Sequence, residues 1–220
     1  MVRLYLIRHA QTAFNVDDKY IGGRSNHLLL TAEGERQACL LGDRLFDENI
    51  PFSRVYASPA VRTRATAQIV CQRIGFPLLD IHIDDRLQEL SQGDWEGRFR
   101  AEVYTPEVLR WLNTEVWVDR WNRKAPNGES QKDIEQRMFG FFQEKIYALP
   151  NEEVVGIFTH GFAIKCCLRK VLNHHPKETY RRIIENTGIT ILDYDTEHWS
   201  VEVINDKAHL EFFADQLYLR

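Results

Sequence analysis

The chain has 220 residues, of which 44% are hydrophobic and 27% are charged, and its formal net charge is −4. These proportions are typical of a globular protein with an apolar core, and the negative charge argues against a general nucleic-acid binder. No apolar run approaches the ~20 residues that a membrane-spanning helix requires. An anion-binding site would therefore need local clusters of basic residues.

Cysteine usage and the first residues bear on where the protein works. Cys39, Cys71, Cys166 and Cys167 lack the paired spacing of metal ligands, and we interpret them as reduced thiols. Met1 leads directly into an apolar run, without the charged and apolar segments of a signal peptide. The sequence predicts a cytoplasmic protein with no metal site and no cofactor.

Short apolar runs alternate with segments of helical periodicity along most of the chain. The predicted strands are 4–7, 54–57, 78–83, 154–158, 189–194 and 199–204. Strands separated by helices usually lie parallel in one sheet, because the chain must cross back over the sheet between them. The alternation therefore predicts an α/β fold with a mostly parallel central sheet.

Three helices are predicted between these strands. Thr31 caps the first helix, and Ser130 caps the third. The second begins with Ser58 as its N-cap and Pro59 at its first helical position. Their predicted buried faces consist of Ala38, Leu41 and Leu45; Val61, Ala65 and Ile69; and Ile134, Met138, Phe141 and Ile146.

The segment of about 98–124 interrupts this alternation. It is rich in basic residues and contains Trp111, Trp117 and Trp121. One interpretation is a separate hydrophobic cluster with a solvated charged face, and the other is a helical lid over a pocket that prefers anions. We favour the lid, because "APNGES" then returns the chain to the core pattern. We expect a single domain spanning 1–220 with this lid-like insertion.

Basic residues follow three predicted strands immediately. The first strand is followed by Arg8 and His9, the second by a helix with Arg62 in its first turn, and the fourth by His160 and Gly161. In an open parallel sheet these strand ends share one edge, where ligands bind, and helix N-termini add N–H donors there. The sequence therefore predicts a phosphate pocket assembled from distant segments.

The motifs at these positions resemble those of the histidine phosphatase superfamily. "RHAQT" resembles its Arg-His-Gly-Glu/Gln-Thr signature, with Ala10 at the usual glycine, and "SPAVRTRATA" resembles its Ser-Pro-x-x-Arg block. "GGRSNHLLLTAEG", with Leu29 at the usual proline, "RLQELSQGDWEG", "NGES", "THG" and "NDKAHL" match further landmarks in order. The resemblance covers nearly the whole chain. It implies the phosphoglycerate mutase-like fold, a three-layer α/β/α sandwich.

The resemblance also implies catalytic roles. His9 would be the nucleophile that attacks phosphorus and forms a phosphohistidine, and Glu89 would protonate the leaving alkoxide. Arg8, Arg62 and His160 would bind the phosphoryl oxygens, and the two arginines should lower the pKa of His9. Because these cations do what magnesium does in many phosphoryl-transfer sites, no metal would be required.

Four further residues are implied in substrate or phosphate binding. Asn15 would be an additional neutral donor, and Gly161 would let the backbone approach the ligand. Gly22 would shape the rim of the pocket, with Arg24 pointing to the substrate.

Two enzymatic activities of the family share the same phosphoenzyme. "GDWEG" at 93–97 and the lack of a longer mutase-type insertion favour a metal-independent phosphomonoesterase acting on a small phosphorylated metabolite. The alternatives are a cofactor-dependent phosphoglycerate mutase and a non-catalytic phospholigand-binding module. The expected partner is the small substrate, with no nucleic acid and no membrane. A homodimer is left open, since the tail "EFFADQLYLR" is amphipathic enough to pack on a neighbour or on its own domain.

Overall fold

The computed structural model describes residues 1–17 and 19–211. Six strands form one sheet in the order β3-β2-β4-β1-β5-β6. Strands β1 to β4 are mutually parallel where they pair, whereas β5 runs antiparallel to β1 and to β6. The predicted mostly parallel sheet is confirmed. The strands are β1 (Val2–Arg8), β2 (Arg54–Ala57), β3 (Ile81–Ile83), β4 (Val154–Thr159), β5 (Ile189–Asp195) and β6 (His198–Asp206).

Helices connect and cover these strands. Within the described ranges they are α1 (Ala13–Val16), α2 (Ala32–Asp47), α3 (Val61–Ile74), α4 (Arg100–Val103), α5 (Pro106–Leu112), α6 (Trp117–Asn122), α7 (Gln131–Lys145), α8 (Gly161–Val171), α9 (Lys177–Arg181) and α10 (Ala208–Glu211). Single 3₁₀ turns occur at Leu78–Asp80, Asp85–Leu87 and Gly93–Trp95. No helix in the described part of the chain is both long and apolar enough to cross a membrane.

The central strand β1 is buried on both faces. Leu4 and Leu6 belong to a core cluster with residues of α7 and α8, whereas Tyr5 and Ile7 belong to a second cluster with residues of α2 and α3. Successive side chains of a strand point to opposite faces of the sheet. A strand covered by helices on both sides therefore appears in the sequence as a continuous apolar run. The two clusters confirm the three-layer arrangement.

Two of the predicted helix starts are confirmed. The Thr31 side chain accepts a hydrogen bond from the Gly34 N–H at 3.0 Å. Ser130 and Asp133 form a capping box, in which each side chain bonds the other's backbone N–H. The predicted apolar faces of these two helices are buried as well. Local capping chemistry and 3.6-residue periodicity were sufficient to locate both helices.

The predicted start of α3 is wrong. The helix begins at Val61, with Ala60 as its N-cap, so Ser58 does not cap it and Pro59 is not its first residue. Its buried residues are Arg62, Thr63, Thr66, Ala67, Val70 and Cys71, and not the predicted set of Val61, Ala65 and Ile69. The apolar pattern predicted the wrong face because polar side chains in the first two turns of the helix point inward.

The predicted strand 78–83 is also too long. Only Ile81–Ile83 is a strand, and Leu78–Asp80 forms a 3₁₀ turn closed by a hydrogen bond from the Asp80 N–H to the Pro77 carbonyl at 3.0 Å. The fixed φ of Pro77 favours such a turn. The amphipathic tail considered above lies, beyond Glu211, outside the described residues.

The Trp-rich segment of about 98–124 contains the three short helices α4, α5 and α6. Trp121 donates its indole N–H to the Glu135 carboxylate on α7 at 3.0 Å. The same carboxylate forms a buried ion pair with Arg169 of α8. Trp117 and Trp121 each lie within 6 Å of the Arg169 guanidinium, at 5.8 and 5.9 Å. These contacts fasten α6 to α7 and α8.

Candidate functional site

Three neighbouring parallel strands bring the distant motifs together. In the sheet, Arg8 at the end of β1 lies opposite Thr159 of β4, and Ala57 at the end of β2 lies opposite Phe158. The residues that follow these strands therefore share one edge of the sheet. The ring centroids of His9 and His160 are 5.2 Å apart.

His9 is buried, and one of its ring nitrogens forms a hydrogen bond with the backbone. The residue is 5% exposed, and its Nδ1 lies 2.8 Å from the Ala10 carbonyl oxygen. Because a carbonyl oxygen only accepts hydrogen bonds, the hydrogen bond assigns the proton to Nδ1 and leaves the lone pair on Nε2. Burial lowers the pKa of His9 well below its ordinary value, and Arg62 and Arg8 lower it further. The imidazole is therefore neutral and nucleophilic at Nε2.

Arg62 and His160 are hydrogen-bonded to each other. The Nη2 of Arg62 lies 3.1 Å from Nδ1 of His160, and Nε2 of His160 lies 2.8 Å from the Ser58 hydroxyl. A guanidinium only donates, so His160 accepts at Nδ1 and carries its proton on Nε2. Burial, then Arg62, holds the pKa of His160 well below its usual range. Burial lowers the pKa of Arg62 to about 10, although Glu89 opposes the shift, so Arg62 remains a cation.

Arg8 places a second guanidinium beside the two histidines. Its Nη1 donates to the Ile184 carbonyl at 2.6 Å, whereas its Nε is buried with no acceptor among the described residues. A Cβ on Gly161 would lie 3.3 Å from that Nε, which is tighter than most real contacts. Glycine at this position therefore lets α8 begin directly against the guanidinium. Arg8 retains donors for an anion.

Glu89 is fixed next to the start of α8. One carboxylate oxygen accepts from the Leu90 N–H at 2.8 Å and the other from the Phe162 N–H at 3.1 Å. Phe162 is two residues after His160, so these bonds tie Glu89 to the strand end that carries the second histidine. Glu89 also lines a cavity of about 460 Å³, together with Gly22.

Asn15 and Arg24 are held by other side chains. The Oδ1 of Asn15 accepts from the Thr12 N–H at 2.9 Å, which leaves its Nδ2 as a donor. The guanidinium of Arg24 donates to Glu129 at 3.0 Å, and its backbone N–H donates to Glu96 at 3.1 Å. That ion pair engages Nη2 of Arg24.

Three contributors to this site were not identified from the sequence. Ser58 bonds His160, the Thr66 hydroxyl accepts from the Ala10 N–H at 3.0 Å, and Glu129 accepts from the Ser91 N–H at 3.0 Å. All three lie inside motifs that were recognised, which was the available signal. Their partners are distant in sequence, so spacing alone could not reveal the contacts.

The charges around the site suit an anion more than a metal ion. The charges of Arg62 and Arg8 both act on His9, and the charge of Glu89 acts on both arginines. Within 1–17 and 19–211, no three His, Cys, Asp or Glu side chains are grouped in a way that could hold a metal. The arrangement combines a neutral imidazole, two guanidinium groups and one carboxylate.

The unfolding free energy should fall as the pH is lowered from 7 to 5. An unfolded histidine takes up a proton below about pH 6.5, whereas the folded pKa values of His9 and His160 lie well below that. The unfolded chain then binds more protons than the folded chain does. This difference lowers the unfolding free energy by about 1.4 kcal/mol per pH unit for each such residue. His9→Gln should reduce the slope by about one proton in urea titrations across this range. An unchanged slope would mean that folded His9 is protonated.

Comparison with known proteins gives a consistent result. A sequence profile of the histidine phosphatase superfamily (branch 1) matches residues 4–207. A probable phosphoglycerate mutase GpmB from Yersinia enterocolitica is 31% identical over 219 residues, covering 97% of this chain and 97% of that protein. The structure of Bacillus stearothermophilus YhfR has a TM-score of 0.80 at 29% identity, covering 96% of this chain and 100% of its own.

A mycobacterial glucosyl-3-phosphoglycerate phosphatase, whose structure was solved with VO3, shares the same architecture. Its TM-score is 0.76 at 24% identity, and the match covers 92% of this chain and 98% of that one. At this level of identity the likeness concerns the fold.

Proposed function

This chain belongs to the histidine phosphatase superfamily (branch 1), and from that membership we propose that it is a metal-independent phosphomonoesterase. It acts on a small phosphorylated metabolite through a phosphohistidine on His9. The observation that carries the proposal is a neutral, buried His9 beside the guanidinium groups of Arg62 and Arg8. Such cations attract phosphoryl oxygens while they keep the nucleophile's lone pair unprotonated.

The proposed reaction has two steps. In the first, Nε2 of His9 attacks phosphorus, the bond from phosphorus to the ester oxygen breaks, and Glu89 gives its proton to the departing alkoxide. In the second, a water oxygen attacks phosphorus, Glu89 takes the proton from that water, and the bond to His9 breaks. Arg8 and Arg62 stabilise the charge on the phosphoryl oxygens in both steps, and His160 accepts a hydrogen bond from Arg62 and holds that guanidinium in place.

The positions of the hydrogen-bond partners support these roles. Both oxygens of Glu89 accept backbone N–H bonds, which keep the carboxyl group beside the start of α8. The bond between Ser58 and His160 sets the tautomer of that ring, so that its Nδ1 accepts from Arg62. Positioning of this kind lowers a barrier without any group having to reorganise during the reaction.

A phosphoglycerate mutase is the second candidate, and the name of the relative from Yersinia enterocolitica favours it. Two observations favour hydrolysis. The segment "GDWEG" at 93–97 resembles that of the phosphatase branch, and the cavity of about 460 Å³ beside Glu89 leaves room for water next to a small leaving alcohol. A water molecule takes up only about 30 Å³ in the liquid.

A screen of phosphorylated metabolites with the purified protein in EDTA tests the proposal. Phosphate release and isomer formation are measured in parallel for each compound. We expect phosphate release without isomer formation, and no gain on adding magnesium or zinc. Isomerisation of phosphoglycerates with little phosphate release would support the mutase, and activity that depends on an added metal would contradict metal independence.

A further inference from the structure

The cavity beside Glu89 is lined by both aromatic and cationic side chains. Its aromatic residues are Tyr104, Phe162 and Tyr180. Lys165 and Arg100 also line it, so two cationic side chains face a space in which Glu89 is the acidic residue. A cavity for an uncharged alcohol would need no such groups.

Lys165 lies on α8, five residues after His160, and is partly buried. Burial lowers its pKa, and the charge of Arg8 lowers it further, while Glu89 acts in the opposite direction. The ammonium group is therefore close enough to the cage, meaning the cluster of His9, Arg8, Arg62 and His160, to be affected by both charges. Burial and the charge of Arg8 destabilise the charged form of Lys165, and an anion bound there would stabilise it.

The two cations that line this cavity have no carboxylate partner. Arg100 and Lys165 take part in none of the ion pairs found among residues 1–17 and 19–211. Arg100 lies over the Tyr104 ring, with its Cζ 5.8 Å from the ring centroid, whereas Lys165 has no such aromatic contact within those ranges. In neighbouring segments, Arg24 pairs with Glu129, Arg123 with Asp119 and Lys124 with Asp133.

The direction of the leaving group follows from the proposed function, on which this inference rests. If Glu89 protonates the ester oxygen, the alcohol must extend from Glu89 into the cavity that Glu89 lines. We propose that Lys165 binds a second anionic group on that alcohol, so that the substrates are phosphomonoesters with a carboxylate or a second phosphoryl group. Lys165 is thereby a specificity-determining residue.

Esters that share a scaffold and differ at one end test this directly. Glycerol 3-phosphate, 3-phosphoglycerate and glycerol 1,3-bisphosphate offer a hydroxyl, a carboxylate and a phosphoryl group on three carbons. Sorbitol 6-phosphate and 6-phosphogluconate offer the hydroxyl and the carboxylate at longer reach. The ratio of kcat/KM between the anionic and the uncharged member should be about tenfold to a hundredfold in at least one scaffold.

Lys165→Met should bring that ratio close to one. Lys170→Met, on the same helix but outside the cavity, removes the same charge and should leave the ratio as it is in the unaltered protein. If Lys165→Met lowers turnover of every ester equally, Lys165 acts on the transferred phosphoryl group and the inference is wrong. A wild-type ratio near one on both scaffolds would also overturn it.

Failure of the inference and failure of the proposed function give different results. Turnover of 4-nitrophenyl phosphate, whose leaving group has no second anionic group, reports the hydrolase by itself. If no ester is hydrolysed, the proposed function fails, and calorimetric titration of the same matched esters still tests Lys165. We then expect tighter binding of the anionic member and loss of that difference in Lys165→Met. Equal binding of both members would overturn the inference.

Discussion

Replacing His9 with alanine should abolish turnover and prevent any phosphoryl group from being trapped on the protein. Nε2 of His9 is the unprotonated ring nitrogen that the Ala10 hydrogen bond leaves available, and its neutral state is maintained by burial. Without the nucleophile only binding and electrostatic stabilisation remain, so the loss should be roughly 10⁴-fold or more. Rapid quenching during turnover of a labelled phosphomonoester measures the trapped group.

The chemistry of the trapped bond identifies its position. A phosphoramidate is stable in base and labile in acid, the opposite of a phosphoserine ester, so quenching in base should preserve the label. His198→Ala, which removes an exposed histidine far from the cage, is the matched control and should retain full labelling. A label that survives His9→Ala would place the nucleophile elsewhere.

The fate of the labelled enzyme distinguishes the three activities. A phosphatase should discharge quickly to water. A mutase should discharge slowly in water and rapidly to a phosphoglycerate, and a binding module should take no label from any donor. We expect fast discharge to water. A label that persists for minutes in buffer and is removed by 3-phosphoglycerate would contradict hydrolysis.

Glu89→Gln should slow alkyl phosphates by about 10²–10⁴-fold in kcat/KM, because an alkoxide leaves poorly without a proton. An aryl phosphate should be slowed far less, since a phenolate needs little protonation. The comparison is made in kcat/KM, which reports phosphorylation of His9 and not the later attack by water. Glu89→Gln also disturbs the two N–H bonds that the Glu89 carboxylate accepts, and comparing the alkyl with the aryl ester corrects for that disturbance.

Asp94→Asn is the matched control for Glu89→Gln. Asp94 is an exposed carboxylate nearby in the chain, where it accepts from the Asn127 amide at 3.0 Å. This variant should keep the same relative rates on alkyl and aryl esters. If Glu89→Gln slows both esters equally, Glu89 has only a structural role. A selective loss in Asp94→Asn would instead show that Asp94 carries the proton.

The parts of the fold that followed from the sequence are those governed by local rules. β1 was found because a strand buried on both faces is a continuous apolar run, and α2 and α7 because Thr31 and Ser130 supply the caps. Predicting that Arg8, Arg62 and His160 lie close together needed one further rule, namely that parallel strands end at a common edge of the sheet.

The parts that were missed depend on contacts across the chain. Serine is a residue type that often caps helices, but the Ser58 hydroxyl is hydrogen-bonded to His160, 102 residues away. Thr63 and Thr66 are buried because they face the cage, which reverses the apolar face expected for α3. Lys165 falls in a helical pattern like any surface lysine, and only the packing of α8 beside Glu89 brings it to the cavity.

The pairing of β1 with β4 has a consequence for how the protein comes into being. Arg3 lies opposite Val154, 151 positions further along the chain, so the two strands close a very long loop when they meet. Contacts between residues so far apart in sequence form slowly, because the chain loses the entropy of closing the loop before the strand pairing stabilises it. During synthesis His9 emerges among the first residues, whereas β4 and α8 are made only after most of the chain. The nascent chain thus carries His9 long before the segment that brings His160 beside it.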